Sequence, residues 1–182
     1  MRAYNRIELE KVARETGFIR DNLEKVIRLS NILEFLVSND SLKGKVVLKG
    51  GTAINLTVFD MPRLSVDIDL DYCCNSDKDT MMADRAVIGQ EILGHMQSNG
   101  YTLHPSSKNT HALDSWVFSY LNAGGNKDNI KIEINYMMRT HILEPRTRKT
   151  SIPFIDEVDV YALSPLELFG SKIKALIERA AP

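Results

Sequence analysis

The sequence predicts an α/β (α+β) fold in which a mixed sheet carries packed helices and two further helices lead the chain. Three observations point to it. Apolar residues recur at helical spacing through the first forty residues, Val66 to Tyr72 alternates apolar with acidic side chains, and Trp116–Leu121 and Ile130–Met137 flank a turn-rich segment. A chain of 182 residues with 43% hydrophobic side chains can bury one full core. Its 23 Lys and Arg nearly balance 24 Asp and Glu, giving a net charge of −1. That balance excludes global electrostatic attraction to nucleic acid or membranes, so any such contact must come from a local patch. No apolar run approaches the ~20 residues of a membrane span, and Met1 to Glu10 is too charged for a leader peptide. The chain therefore reads as cytoplasmic with no membrane partner.

The elements follow in order. Residues 1–40 read as a helical segment packed on the core: Ile7, Leu9, Val12 and Ala13 before a stop at Gly17, then a long helix from Ile19 to Leu36. Residues 41–182 read as the core proper. Lys45–Lys49 is a short β-branched run that ends at Gly50-Gly51, and Thr52–Phe59 predicts about two helical turns closed by Asp60-Met61-Pro62. Val66–Tyr72 is a strand, and Asp77–Gln97 a helix with Met82, Ala86, Ile88, Leu93 and Met96 available for burial. Tyr101–His104 precedes the two longer β runs, which Asn122–Asp128 joins as a turn. Val158–Ala162 predicts an edge strand, and Ser164-Pro165 supplies an N-cap and first residue for a helix over Leu166–Ala180. The two cysteines, Cys73 and Cys74, are adjacent, which strains an intrachain disulfide; reduced side chains at a strand end are expected.

Gly50-Gly51-Thr52 lies where a strand becomes a helix. Glycines there let backbone N–H groups approach a phosphate at a helix N-terminus, and Thr52 adds a hydroxyl; the alternative is a plain tight turn. Asp67 and Asp69, at i and i+2 of a strand, share a face about 6.5 to 7 Å apart and can converge on a divalent ion. The alternative is an acidic face on an edge strand, where charge deters aggregation. On the run from Ile130, Glu133 shares a polar face with Lys131 and Asn135. If that strand lies beside the Asp strand, Glu133 completes a carboxylate triad; otherwise it is a surface partner of Lys131.

Lys172 and Arg179, two turns apart, share one face of the last helix and suit a triphosphate, or simply decorate a helix C-terminus. Lys174 faces elsewhere. The histidines 95, 104, 111 and 141 show no ligand spacing, and each reads as an ordinary surface or partly buried side chain. Arg139, Arg146, Arg148 and Lys149 form with His141 a short basic cluster, either a solvated loop or a contact for RNA phosphates. No nucleophile elbow or Walker-type loop is present, so acyl transfer and P-loop hydrolysis have no support.

The string Leu48-Lys-Gly-Gly-Thr-Ala-Ile-Asn-Leu56, with Arg63-Leu-Ser-Val-Asp-Ile-Asp-Leu70 after it, resembles the AbiEii/AbiGii toxin family of nucleotidyltransferases in the polymerase-β-like superfamily. Glu167-Leu-Phe-Gly-Ser-Lys-Ile-Lys-Ala-Leu-Ile-Glu-Arg179 looks like that family's later Lys-containing helix. The resemblance implies a polymerase-β-like fold, NTP as substrate, Mg²⁺ or Mn²⁺ as cofactor, and RNA, tRNA above all, as acceptor. It also implies a type IV toxin with a cognate antitoxin that acts without a stable complex. By the same resemblance Gly50, Gly51 and Thr52 hold the nucleotide phosphates, Asp67 and Asp69 bind the metal, and Glu133 matches the third carboxylate. Lys172 contacts the triphosphate, with Arg179 on its face, and Arg63 and Ser65 shape the turn or touch the nucleotide. Members continue into an Arg-Asp-x-x-Asp motif and a helical C-terminal domain, which this sequence is expected to lack. Two other readings stay open: a nucleotide-binding module without catalysis, and transfer to a protein hydroxyl.

Overall fold

The computed structural model describes residues 6–59, 67–151 and 156–180. Helices α1 (Arg6–Thr16) and α2 (Arg20–Ser38) meet at Gly17, whose φ of 74° falls in the left-handed region that stops a helix and favours glycine. Strand β1 (Val46–Lys49) runs directly into α3 (Gly50–Thr57), so the diglycine forms the first turn of the helix rather than a loop before it. Strand β2 (Asp67–Tyr72) leads to α4 (Lys78–Ser98), capped by the Asp77 carboxylate, which accepts from Thr80 N–H at 2.8 Å.

The second half holds β3 (Thr102–Leu103), β4 (Lys108–Asn109), β5 (Leu113–Leu121), β6 (Lys127–Asn135), β7 (Arg146–Lys149), β8 (Asp159–Ala162) and α5 (Pro165–Ala180). Ser164 accepts from Glu167 N–H at 3.3 Å, as an N-cap residue should.

The strands form one mixed sheet in the order β3-β5-β6-β2-β1-β8-β7, with β4 also on β5. β2 is therefore an interior strand, antiparallel to β1 and parallel to β6. Ile68, Leu70 and Tyr72 are buried on one face beside Ile130, Ile132 and Ile134, and the same cluster takes in Leu29, Ile32 and Leu33 of α2 and Ile88, Ile92 and Met96 of α4. Leu9, Leu23 and Ile27 make a smaller cluster between α1 and α2. Burial of this apolar area is the main stabilising term, and polar pins set the alignment. Glu24 accepts from Ala123 N–H and pairs with Arg28, whose guanidinium stacks 4.1 Å from the Tyr120 ring.

Four expectations change. Met82 and Ala86 are exposed, because α4 turns Met81, Ile88, Ile92 and Met96 inward at i, i+7, i+11 and i+15. β8 is not an edge strand: it lies between β1, which it pairs in parallel, and β7, which it pairs antiparallel. The edge is β7, built from Arg146, Thr147, Arg148 and Lys149, whose basic members suggested a loop, and a charged edge suits its position. The basic cluster does not assemble, since Arg139 donates to the Ser76 carbonyl while His141 turns to Glu167. Cys73 and Cys74 follow β2 as free thiols, and burial pushes Cys73 up to about 12. Among the described residues no helix is long and apolar enough to cross a membrane.

Candidate active site

The acidic residues owe their position to strand pairing. Alternation along β2 sends Asp67, Asp69 and Asp71 to the face opposite the core, and parallel pairing with β6 sets Asp69 in register with Glu133 and Asp67 with Lys131. On the other side Lys49 at the end of β1 is in register with Asp69. Carboxylates and ammonium groups thus face one another across three adjacent strands. Asp67 is exposed, Asp69 half-buried and Asp71 buried, so the row deepens along the strand.

The charges are not balanced. Burial raises the Asp69 carboxyl above its usual range; Glu133 and Asp67 add to the rise, while Lys49 and Lys131 oppose it. Burial also works against ionisation of Glu133, but hydrogen bonds from Lys131 and Ser115 prevail and hold it below the ordinary value. The Lys131 Nζ lies 2.9 Å from Glu133 Oε1. Asp71 is raised by burial against the hydrogen bond and charge of Lys49, to which it is paired. Asp69 is thus a carboxylate short of positive charge, the condition that a divalent cation relieves.

α3 begins against this row. Gly50 has φ 75°, and a Cβ there would collide with the Asp69 side chain, so only glycine lets the helix start so close to the carboxylate. Thr52 is 1% exposed and its hydroxyl donates to the Asp67 carbonyl, tying the first turn of α3 to β2. Its hydroxyl proton is thus spent within the fold, and what the turn offers a ligand is the positive end of the helix that Gly50 and Gly51 begin.

A cavity of about 650 Å³ opens beside Gly50, lined among others by Lys49, Asp71, His141, Glu167 and Lys174. Lys174 reaches this lining because it follows Glu167 and Gly170-Ser171 at i+7 and i+4/i+3 on one face of α5. Lys172 and Arg179 are exposed and outside it. The expectation for Lys174 is therefore reversed: it is the lysine of this helix that the fold brings to the cavity. Arg63 and Ser65 lie outside the described residues. Local pattern does not mark His141, Asp71 or Glu167 as residues of the site, although Asp71 completes the alternation of β2 and Glu167 stands three residues after a capping serine.

Asp67 and Asp69 supply hard oxygen donors of the kind that Mg²⁺ or Mn²⁺ takes, and the charge deficit at Asp69 fits such an ion. Among the described residues no three His, Cys, Asp or Glu side chains already converge closely enough to enclose one. Glu133 is the third donor in register, and it is engaged with Lys131.

A glycine-started helix beside a paired-aspartate strand in a mixed sheet is the arrangement expected from the resemblance to nucleotidyltransferases. The chain itself belongs to the family of the nucleotidyl transferase AbiEii toxin of type IV toxin–antitoxin systems, whose family model matches residues 32–182. Among solved structures, JHP933 from Helicobacter pylori is similar with a TM-score of 0.56 and 19% identity over 84% of this chain and 56% of its own. A second H. pylori protein, provisionally assigned as a nucleotidyltransferase, has a TM-score of 0.54 and 20% identity over 84% and 57%. These likenesses concern the fold, and this chain spans little more than half the length of either structure. A comparison with curated proteins finds no match.

Proposed function

We propose that the chain transfers a nucleoside monophosphate from an NTP to an acceptor, with RNA, and tRNA first, as the acceptor to test. The single observation that carries this reading is the convergence of Asp67 and Asp69 on an interior strand with the Gly50-Gly51 start of α3, under an electrostatic deficit at Asp69. Asp67 and Asp69, with Glu133 as third donor, would hold Mg²⁺ or Mn²⁺. Such an ion, when bound, supplies a positive charge that activates the attacking hydroxyl and stabilises the departing pyrophosphate.

The chain's own residues do the rest. Main-chain N–H groups of Gly51 and Thr52 suit a phosphate oxygen, and Lys49 and Lys174 add positive charge at the same cavity. The work is mostly positioning and electrostatic stabilisation. Membership of a type IV toxin family supports a cognate antitoxin as partner, and α1–α2 as a brace for a nucleotidyltransferase core is part of the same reading.

The test is incubation with each α-labelled NTP, Mg²⁺ and total bacterial RNA, with Asp67→Asn and Asp69→Asn as controls. Label in RNA that both variants lose supports the reading. Label in protein instead of RNA would establish transfer to a protein hydroxyl, and NTP binding with no label anywhere would establish a binding module without catalysis.

A further inference from the structure

Resting on the nucleotide reading, we infer that His141 and Glu167 form a dyad that recognises the nucleobase, in the cavity beside Gly50. The His141 side chain is 4% exposed, and its Nδ1 lies 3.1 Å from Glu167 Oε1. A carboxylate only accepts, so Nδ1 carries the proton and donates it. In the neutral form of such a ring Nε2 is an acceptor, and here it is buried without a partner among the described residues. A buried polar atom left unpaired is costly, and a ligand N–H that meets it recovers that cost on binding.

The dyad is built rather than incidental. Glu167 also accepts from Ile142 N–H at 3.3 Å and Leu143 N–H at 3.2 Å, so one carboxylate holds both the ring and the backbone that follows it. Upstream, Arg139 donates to the Ser76 carbonyl at 2.7 Å and fixes the other end of the segment. The ring is therefore oriented before any ligand arrives, which lowers the ordering cost of binding.

The cavity has the composition that a heterocycle requires. Its volume of about 650 Å³ lies within the range of small-ligand sites, and Ile142, Leu143, Leu163 and Leu166 give it apolar walls. Lys49 and Gly50 line it as well, and both adjoin Asp69, where the phosphates belong in the proposed reading. A flat ring against apolar walls, with an N–H to offer the unpartnered Nε2 of a residue that lines the cavity, matches a nucleobase edge. A bare polyphosphate offers neither feature.

The experiment is equilibrium titration of the full chain, with Mg²⁺, against ATP, CTP, their analogues lacking the exocyclic amino group (purine riboside and 2-pyrimidinone riboside triphosphates), and inorganic tripolyphosphate. Wild-type protein should bind ATP or CTP about tenfold more tightly than the matching analogue, and His141→Phe, which keeps a flat ring but removes the acceptor, should abolish that preference. Equal affinity for the parent nucleotide and its analogue in the wild type overturns the dyad's role, even if His141→Phe does not fold. Retained discrimination in a folded His141→Phe does the same. Failure of the wild type to bind any NTP or tripolyphosphate overturns the nucleotide reading itself, a result distinct from loss of base discrimination.

Discussion

Asp69 and Glu133 stand in register on the neighbouring parallel strands β2 and β6, while Lys131, two residues before Glu133, ties up the glutamate at 2.9 Å. Burial first, and then repulsion from Glu133, raises the Asp69 carboxyl, while hydrogen bonds from Lys131 and Ser115 hold Glu133 below its ordinary value. Removing either aspartate should therefore affect cation binding and the proposed transfer far more than folding. Asp67→Asn or Asp69→Asn should reduce label transfer by about a hundredfold or more. Mg²⁺ should raise the melting temperature of the wild type and have little effect on either variant. An equal Mg²⁺ shift in all three proteins, followed by calorimetry, would reject the metal assignment.

The raised Asp69 carboxyl sets a pH dependence. Burial, then Glu133 and Asp67, raises the folded pKa of Asp69 above the value in the unfolded chain. A carboxyl so shifted favours folding below the ordinary carboxylate pKa of about 3.9, and this contribution is lost as pH rises through the folded value. In EDTA, Asp69→Asn should melt above the wild type at pH 7, and the difference should shrink toward pH 4. A variant less stable than wild type at pH 7 would contradict this sign.

Glycine substitutions separate two roles. Gly50→Ala forces an L-residue to φ 75° and drives a Cβ into Asp69, so it should cost about 2–4 kcal/mol in urea unfolding. Gly94, inside α4, has an ordinary φ, and a Cβ added there would meet no atom within 4 Å. Gly94→Ala should stabilise by about 0.5–1 kcal/mol through helix propensity alone.

Arg85 and Asp114 make a buried pair, with side chains 13% and 4% exposed, in which the guanidinium meets both carboxylate oxygens and lies 4.7 Å from the Tyr136 ring. Arg85→Ala leaves Asp114 buried without its counter-charge and should cost about 3–5 kcal/mol. Chemical denaturation at pH 7 measures it, and a loss below about 1 kcal/mol would show that the pair is solvated.

Most of the element order is legible from local pattern. The alternation in β2, the periodicity of α2, the diglycine corner and the Ser164-Pro165 start of α5 are each encoded within a few residues, so periodicity and capping chemistry reveal them. β7 escapes such reading because four polar residues, Arg146 to Lys149, carry no apolar alternation; they are a strand only because β8 offers its free edge. The paired aspartates are visible for the same local reason as the strand. The His141–Glu167 dyad is not, since 26 residues and two other strands separate its members.

The sequence alone determined which residues alternate, where helices begin and end, and that Asp67 and Asp69 share a face, because these follow from backbone geometry over one or two turns. Only the tertiary structure decided that Glu133 stands opposite Asp69, that β8 lies inside the sheet, and that Lys174 rather than Lys172 lines the cavity. Those outcomes depend on strand pairing and on how α5 is rotated about its own axis, and both are settled by burying the apolar face common to distant segments, an energy that no local pattern contains.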